Sequence, residues 1–314
     1  MLENEVVTVL SFLPRFFLEE RGTAAVIIAL AFAVVLGFSA LAVDTGVLYL
    51  EHTRLARAAD TAALAGAQEL PDVTRAEAVA RDYAQRNGID AAAVSVNFSV
   101  DNKAITVSVN KTVNLHFAKT LGFNSKALQG MAKARIAPVK QTEGLIPLGL
   151  NEIMLPLSSG AEYMIKGGSQ DGSPWRGIIE YPGQGNGGNN YRDLAREGFS
   201  GNVSIGDLEG KVPGNKSGPT EQGIEDRING CTDGCTWNNF LPGCPRVAIV
   251  PIYRDLGSQI QVVGFAAVFL ERVGNENGNG NDNRVFATHI NLSVSAESDD
   301  TITNSYLYSV RLSE

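Results

Sequence analysis

The sequence predicts an α+β protein: a long N-terminal helix spans a membrane and continues into a small α+β head, followed by a mostly antiparallel β domain with long loops. Three observations support this prediction. Residues 22–43 carry no charged side chain, residues 44–70 contain no Pro and are rich in Ala, Leu and Arg, and alternating apolar and polar runs begin after Pro71. We divide the chain into segments 1–21, 22–70, 71–139 and 140–314.

The overall charge argues against one class of partner. The 314 residues carry a formal net charge of −8. Because binding to nucleic-acid phosphates needs a basic surface, we expect no nucleic-acid partner. The 33 Gly and 12 Pro residues predict that much of the chain forms turns and loops.

The uncharged run of residues 22–43 predicts a helix that crosses the bilayer, since about 20 apolar residues span roughly 30 Å of hydrocarbon. The residues that follow are strong helix formers, so the helix is expected to continue to residue 70 without a break. Such a rod would be about 70 Å long, half of it in lipid. An alternative is a signal peptide cleaved at Ala40-Leu41-Ala42, although the run is longer than usual for a signal and its lead segment is acidic.

Residues 1–21 are expected to lie along the cytoplasmic interface or to be disordered, because the apolar part is short and contains Pro14 and Arg15. Basic residues flank the span on both sides, so charge alone does not decide its orientation. The Gly/Asn-rich, Cys-containing remainder is typical of an exported domain. We therefore expect a single-pass protein of the cell membrane, with a cytoplasmic N-terminus and a large extracytoplasmic C-terminal part.

One face of the predicted rod forms a line that changes from bulky to small residues. We call this line the packing seam, and it consists of Leu41, Leu48, Leu55, Ala59, Ala62 and Gly66. Small residues allow another helix or a sheet to approach closely. The seam is either the spine of the domain that follows or, in addition, a surface that packs against other membrane subunits.

Segment 71–139 predicts one helix packed on one sheet. Thr74 and Glu77 have the spacing of a capping box that opens a helix, and Asn87-Gly88 is expected to end it. Two alternating runs on either side of Asp101-Asn102-Lys103 predict a β-hairpin, followed by a short helical turn at 117–121 and a strand at 128–137.

Segment 140–314 predicts a mostly β domain, with a long irregular excursion between Lys166 and Pro245. The last three apolar runs suggest an antiparallel meander. The runs expected to form strands are GLIPLGL, AEYMIK, RVAIVPIY, QIQVVGFAAVFLERV, RVFATHINLSVSA and SYLYSVRLS.

The membrane segment also carries a family resemblance. It has an Arg-Gly before the span, ALAVDTG at the outer end, Tyr49 one turn later and the closing RAADTAALAGA. This string resembles the N-terminal segment of TadE/TadG-like proteins of the tight-adherence (Flp) pilus assembly system. The resemblance implies a membrane protein with a pilin-like head, whose partners are the lipid bilayer and other pilus-assembly membrane subunits or a second copy of the chain.

Two departures from the family pattern narrow what the resemblance implies. Pilins that are processed after a Gly in the position of Gly22 have a Glu at the fifth mature position, where this chain has Ile27. The resemblance therefore points to the unprocessed TadG-like branch. The chain also lacks the Asp-x-Ser-x-Ser triplet of the metal-adhesion domain of larger TadG-like proteins, so that activity is not carried over.

The sequence offers little catalytic chemistry, and we expect no enzyme activity, no cofactor and no metal. It contains neither a G-x-S-x-G elbow nor an H-E-x-x-H motif. His52 is expected on the exposed rod, and His116 and His289 within strands, in structural or surface roles. The Asn/Gly-rich run 275–283 and the pair at 299–300 are better explained as polar loops than as calcium sites.

Cys231, Cys235 and Cys244 lie in one loop, CTDGCTWNNFLPGC, and their spacing does not match a C-x-x-C metal knuckle. In an exported chain we expect one disulfide, leaving a third thiol that is free or bridges to a partner. Cys235–Cys244 would enclose Trp237 and Phe240, and Cys231–Cys235 is a tight alternative, so the pairing stays open. A zinc site is the lesser alternative.

The favoured hypothesis is a non-enzymatic single-pass membrane protein that takes part in assembling or anchoring a Flp-type pilus or a related envelope secretion machine. One alternative is an exported or membrane-tethered protein that recognises a surface glycan or peptide through aromatic side chains in its loops. These aromatic side chains could instead be buried under the loops, where they would only stabilise the fold. A tethered hydrolase is the third hypothesis. The aromatics concerned are Trp175, Tyr181, Tyr191, Trp237 and Phe240, and the carboxylates concerned are Asp171, Glu180 and Asp207.

Overall fold

A computed structural model describes residues 20–167, 177–185, 187–274 and 283–313. Helix α1, Glu20–Ala67, is one uninterrupted helix of 48 residues. Within the described part of the chain, the stretch Gly22–Ala67 is the one helix long and apolar enough to cross a membrane. We call Gly22–Val43 its inner half and Asp44–Ala67 its outer half.

Helix α2, Val73–Arg86, follows after a sharp corner. Its N-cap is Asp72, whose side chain accepts a hydrogen bond from the backbone N–H of Arg75 at 3.0 Å. The capping box expected at Thr74 and Glu77 is therefore wrong, because the helix begins before Thr74 and Asp72 already provides the acceptor. The helix ends at Asn87 as expected, with Gly88 at a positive φ of 78°.

The first sheet is built on the predicted hairpin. Strands β1 (Val94–Phe98) and β2 (Ala104–Asn114) are antiparallel, and Asn102 in their turn adopts a left-handed φ of 55°. A 3₁₀ turn at Ala118–Leu121 then leads into β3, Ser125–Pro138, which pairs with β2 from Ser125 to Arg135.

The outer half of α1 lies directly on this sheet. A Cβ added to Gly130 of β3 would come within 2.5 Å of the backbone carbonyl of Leu55, so only Gly allows the strand to approach the helix this closely. Leu55, Ala58, Ala62, Ile105 and Val107 are among the buried residues of the core between helix and sheet.

The remainder forms the β-rich domain. Its elements are β4 (Gln141–Thr142), β5 (Leu150–Asn151), β6 (Glu162–Lys166), β7 (Ile179–Glu180), α3 (Gly188–Glu197), β8 (Val203–Ser204), β9 (Leu208–Lys211), α4 (Ser217–Asn229), β10 (Val247–Asp255), β11 (Gln259–Gly274) and β12 (Arg284–Ile290). The main sheet has the order β5-β10-β11-β12-β6, with β9 pairing to β11 and β7, and the short strands β4 and β8 form a separate pair. Apolar clusters cover both faces of the long central strands β10 and β11. The α+β class is confirmed, with mostly antiparallel pairing.

The last strand departs from the expected meander. Strands β11 and β12 pair as expected, but β13, Tyr308–Ser313, pairs antiparallel with β3, from Pro138 to Lys133. The first sheet thus has the order β1-β2-β3-β13, and its last strand comes from the segment assigned to the β domain. The alternating pattern of a six-residue strand shows which face is buried, but not which sheet edge receives it.

Candidate functional site: the membrane helix and its junction with the head

The inner half of α1 presents apolar side chains on all sides. From Val26 to Phe38, the large apolar side chains are 56–70 % exposed. Apolar patches of this extent are rarely left in contact with water, whereas a bilayer accommodates them. The inner half is therefore built to be covered by lipid or by other membrane helices.

The packing seam is divided between the two halves. Leu41 is 60 % exposed and Leu48 is half-buried. The four outer members, Leu55, Ala59, Ala62 and Gly66, lie together in the core of the head. The outer seam thus serves as the spine of the head, and Leu41 remains on the surface of the inner half.

Asp44 marks the boundary between the two halves. Its Oδ1 accepts a hydrogen bond from the backbone N–H of His116 at 2.9 Å, and its Oδ2 accepts from Phe117 at 3.0 Å and Ala118 at 2.6 Å. The buried carboxylate therefore binds the N-terminal end of the 3₁₀ turn Ala118–Leu121, where free N–H groups favour an anion.

Sequence reasoning missed the role of Asp44. An acidic residue placed directly after an uncharged run is a signal that the side chain has a specific partner. The partner backbone lies 72–74 residues further along the chain, a separation that no local pattern reveals. Glu51, two turns beyond Asp44, makes a second contact with the hairpin, because it accepts a hydrogen bond from Lys111 Nζ at 2.6 Å.

The three cysteines converge, although they are not bonded to one another. Their Sγ atoms all lie within 4.8 Å of one another, and Cys231 and Cys244 are 3.6 Å apart. Burial opposes ionisation of Cys231, but backbone N–H groups of Cys235 and Asp233 and the neighbouring thiols lower its pKa overall. Burial, followed by the adjacent Cys235 thiol, raises the pKa of Cys244 to about 12.

The arrangement of the cysteines leaves their chemistry open to test. A disulfide could join Cys235 to Cys244, Cys231 to Cys235 or Cys231 to Cys244, because the three sulfur atoms already lie within 4.8 Å of one another. Three thiolates would also supply three of the four ligands that zinc prefers. One disulfide with one remaining thiol stays our prediction, and mass spectrometry of non-reduced peptides, together with metal analysis, tests it.

The loop aromatics do not share one wall. Tyr181 is buried, stacks on Phe199 with ring centroids 4.8 Å apart and donates a hydrogen bond to the Ile146 carbonyl. Tyr191 is buried against Thr220. Trp237 and Phe240 line a cleft of about 590 Å³ beside the corner between α1 and α2. Trp175 lies outside the described residues.

The candidate carboxylates are likewise separated in their roles. Asp207 caps a turn by accepting the backbone N–H of Ser204 at 2.7 Å, and Glu180 lies on the short strand β7. Asp171 lies outside the described residues. Sequence reasoning missed Glu209, which is buried on β9; burial and the charge of Asp207 raise its pKa to about 7.

The histidines occupy three different settings. His52 is on the exposed side of α1, and His289 is buried in β12, where burial lowers its pKa to about 4. His116 lies just after β2 and not inside a strand, because its backbone is held by Asp44.

The two polar loops considered for calcium are only partly described. Residues 275–282 lie outside the described part, and the Asn283 side chain donates a hydrogen bond to Glu221 at 2.8 Å. Asp299 accepts hydrogen bonds from Thr301 within its own turn. Asp300 pairs with Arg135 and Arg311 on the neighbouring strands β3 and β13.

The geometry can be compared with known proteins. Residues 22–69, which comprise nearly all of α1, match the family model described as putative Flp pilus-assembly TadE/G-like. Comparison with curated proteins and with solved structures gives no significant match. The similarity to the TadE/G-like Flp pilus-assembly family is therefore confined to α1 and the two residues after it.

Proposed function

We propose that this chain is a non-enzymatic, single-pass membrane protein that takes part in assembling or anchoring a Flp-type pilus or a related envelope secretion machine. The observation that carries the proposal is the match of the family model to α1, whose inner half is apolar on all sides and whose outer half is the spine of a folded head. The N-terminus is cytoplasmic, and the head and the β domain lie on the extracytoplasmic side of the membrane.

In this role the helix fixes the position of the head relative to the bilayer. Because α1 is unbroken and Asp44 holds the hairpin, movement of the inner half is transmitted directly to the sheet. Leu41 and the rest of the exposed inner half offer a surface to neighbouring helices of other pilus-assembly subunits or of a second copy. The open edge of β1 offers a site for strand addition.

Genetic deletion tests the function. A cell that lacks this chain should lose surface pili and adhesion, and complementation with the intact chain should restore both. Normal pili in the deletion strain would overturn the assembly role. Protease added outside the cytoplasmic membrane should degrade the head of the intact protein, and protection of the head would overturn the orientation.

A second candidate function has one observation in its favour. The cleft of about 590 Å³ is lined by Trp237 and Phe240 and also by Glu69, Asp72 and Arg75. An aromatic side chain beside charged groups suits a glycan or a peptide. If this cleft binds a surface glycan, replacing Trp237 with Ala should abolish retention on a glycan array. Replacement of Ile153, which is exposed in the β domain, should leave retention unchanged.

A further inference from the structure

The tip of the β2–β3 hairpin lies beside the outer end of the uncharged run. In the hairpin, Val109 pairs with Gly130, which contacts Leu55, and the ladder ends where Asn114 pairs with Ser125. Five strand residues cover about 17 Å, and the eleven helix residues from Leu55 back to Asp44 also cover about 17 Å. The hairpin thus runs alongside α1 to the level of Asp44, one residue beyond the last residue of the inner half.

Three large apolar side chains project from this tip. Phe117 is 48 % exposed, Leu121 is 77 % exposed and Phe123 is 65 % exposed. They lie within seven consecutive residues of a loop whose backbone is held in place by Asp44. A loop with this much apolar surface is poorly suited to water. Phe and Leu side chains are, in contrast, favourable where the apolar face of an interfacial segment is buried at the headgroup/acyl boundary.

The charge of the hairpin also differs from that of the rest of the chain. Residues 102–142 contain six Lys and one Arg but no Asp or Glu, in a protein whose net charge is −8. Lys119 and Lys126, at the tip, are exposed. A basic segment next to a membrane span is attracted to anionic lipid headgroups.

From these observations we propose that residues 115–124 form a lipid-binding loop that enters the headgroup layer of the bilayer spanned by α1. Phe117, Leu121 and Phe123 reach the boundary with the acyl chains, and Lys119 in the loop and Lys126 on the adjoining strand β3 contact lipid phosphates. The proposal rests on the membrane anchoring described under the proposed function. Asp44 then has a specific role, because its hydrogen bonds hold the loop at the depth where the span ends.

Depth-dependent fluorescence quenching tests the proposal. The full chain, with Trp175 and Trp237 replaced by Phe, would be placed in nanodiscs that contain lipids brominated on the acyl chains. A single Trp would then be introduced by Leu121→Trp, Met131→Trp or Phe32→Trp. Met131 is the matched control, since it is 67 % exposed on the same hairpin but about 20 Å from the tip.

We expect quenching at position 121 to exceed that at position 131 by about threefold or more, because a side chain at the headgroup/acyl boundary lies close to the brominated acyl chains. Position 32 should be quenched most strongly. Equal quenching at 121 and 131, with strong quenching at 32, would overturn the lipid-binding loop and leave the anchoring intact. Absence of quenching at 32 would overturn the anchoring itself.

Lipid charge tests the role of the lysines. In nanodiscs with anionic lipid, quenching at position 121 should exceed that in purely zwitterionic nanodiscs. The double substitution Lys119→Gln and Lys126→Gln should remove this difference. If lipid charge has no effect on the unsubstituted loop, the proposed contact between these lysines and phosphates is overturned.

Discussion

The two halves of α1 belong to one continuous helix but are built for different surroundings. The inner half has large apolar side chains on every side, and these are mostly exposed, whereas the outer half buries a narrow stripe of Leu, Ala and Gly against a sheet. The outer half carries five charged residues and the inner half none, and the two halves also differ in the size of the side chains on the faces that make contacts. Large side chains suit lipid, which has no fixed shape, while small ones let two backbones approach closely.

The largest expected effect comes from truncating the same residue type in each half. Leu55→Ala should lower the free energy of unfolding of the head by about 2–5 kcal/mol, because Leu55 is fully buried. Leu41→Ala should change it by less than about 0.5 kcal/mol, since Leu41 is exposed on the inner half. Denaturant unfolding in detergent, followed by circular dichroism, gives both values, and equal losses would contradict the division of the packing seam.

An added positive charge should impair membrane insertion when it is placed in the inner half but not when it is placed in the outer half. Phe32→Arg places a cation in the middle of the inner half and should oppose insertion by about 2.5–3.5 kcal/mol. His52→Arg, on the exposed side of the outer half, should not affect insertion. The fraction of protein resistant to alkaline extraction from membranes measures insertion. Full insertion of the Phe32→Arg chain would contradict a lipid-facing inner half.

Adding one methyl group tests the close approach of the outer half. A Cβ at Gly66 would lie 2.7 Å from Ile105 Cδ1 and 2.9 Å from the Ala76 carbonyl oxygen, so Gly66→Ala should destabilise the head by about 1–3 kcal/mol. A Cβ at Gly37 meets nothing within 4 Å, and Gly37→Ala should leave the head unchanged. Thermal unfolding of the two variants provides the comparison, and a more stable Gly66→Ala head would refute the tight contact.

The smallest effect is expected at the boundary between the halves. Asp44→Asn removes the charge that strengthens three hydrogen bonds and should loosen the loop by about 1–2 kcal/mol. Hydrogen exchange of the amides of residues 116–118 should therefore accelerate by roughly 5- to 30-fold. Asp60→Asn, elsewhere on the outer half, is the control, and unchanged exchange in Asp44→Asn would show that the carboxylate does not hold the loop.

Much of the head was predictable because its determinants are local. The uncharged run, the lack of Pro between residues 44 and 70, the alternating runs and the turn at Asn102 each act within a few residues, so these patterns predict α1 and the hairpin. The sequence pattern predicts Thr74 as the N-cap of α2, two residues after the observed N-cap, Asp72. Both residues are good N-caps, and only the geometry of the corner before α2 decides between them.

The contacts that organise the candidate site were not predictable, because they join distant residues. Asp44 contacts a loop more than 70 residues away, β13 adds to β3, and three cysteines meet from two ends of a loop. Sequence patterns show that a strand has an apolar face or that a carboxylate is out of place, but they do not show which partner satisfies it. The β domain was accordingly predicted as a class and not as a strand order.

The pairing of β13 with β3 also affects how the protein is made. The ribosome finishes Ser125–Pro138 long before it reaches Tyr308–Ser313, so the outer edge of β3 must wait for some 170 residues of later chain. Until those residues arrive, the nascent protein carries an unpaired strand edge to which another chain could add. The sheet of the head therefore gains its fourth strand only after nearly the whole polypeptide has been made.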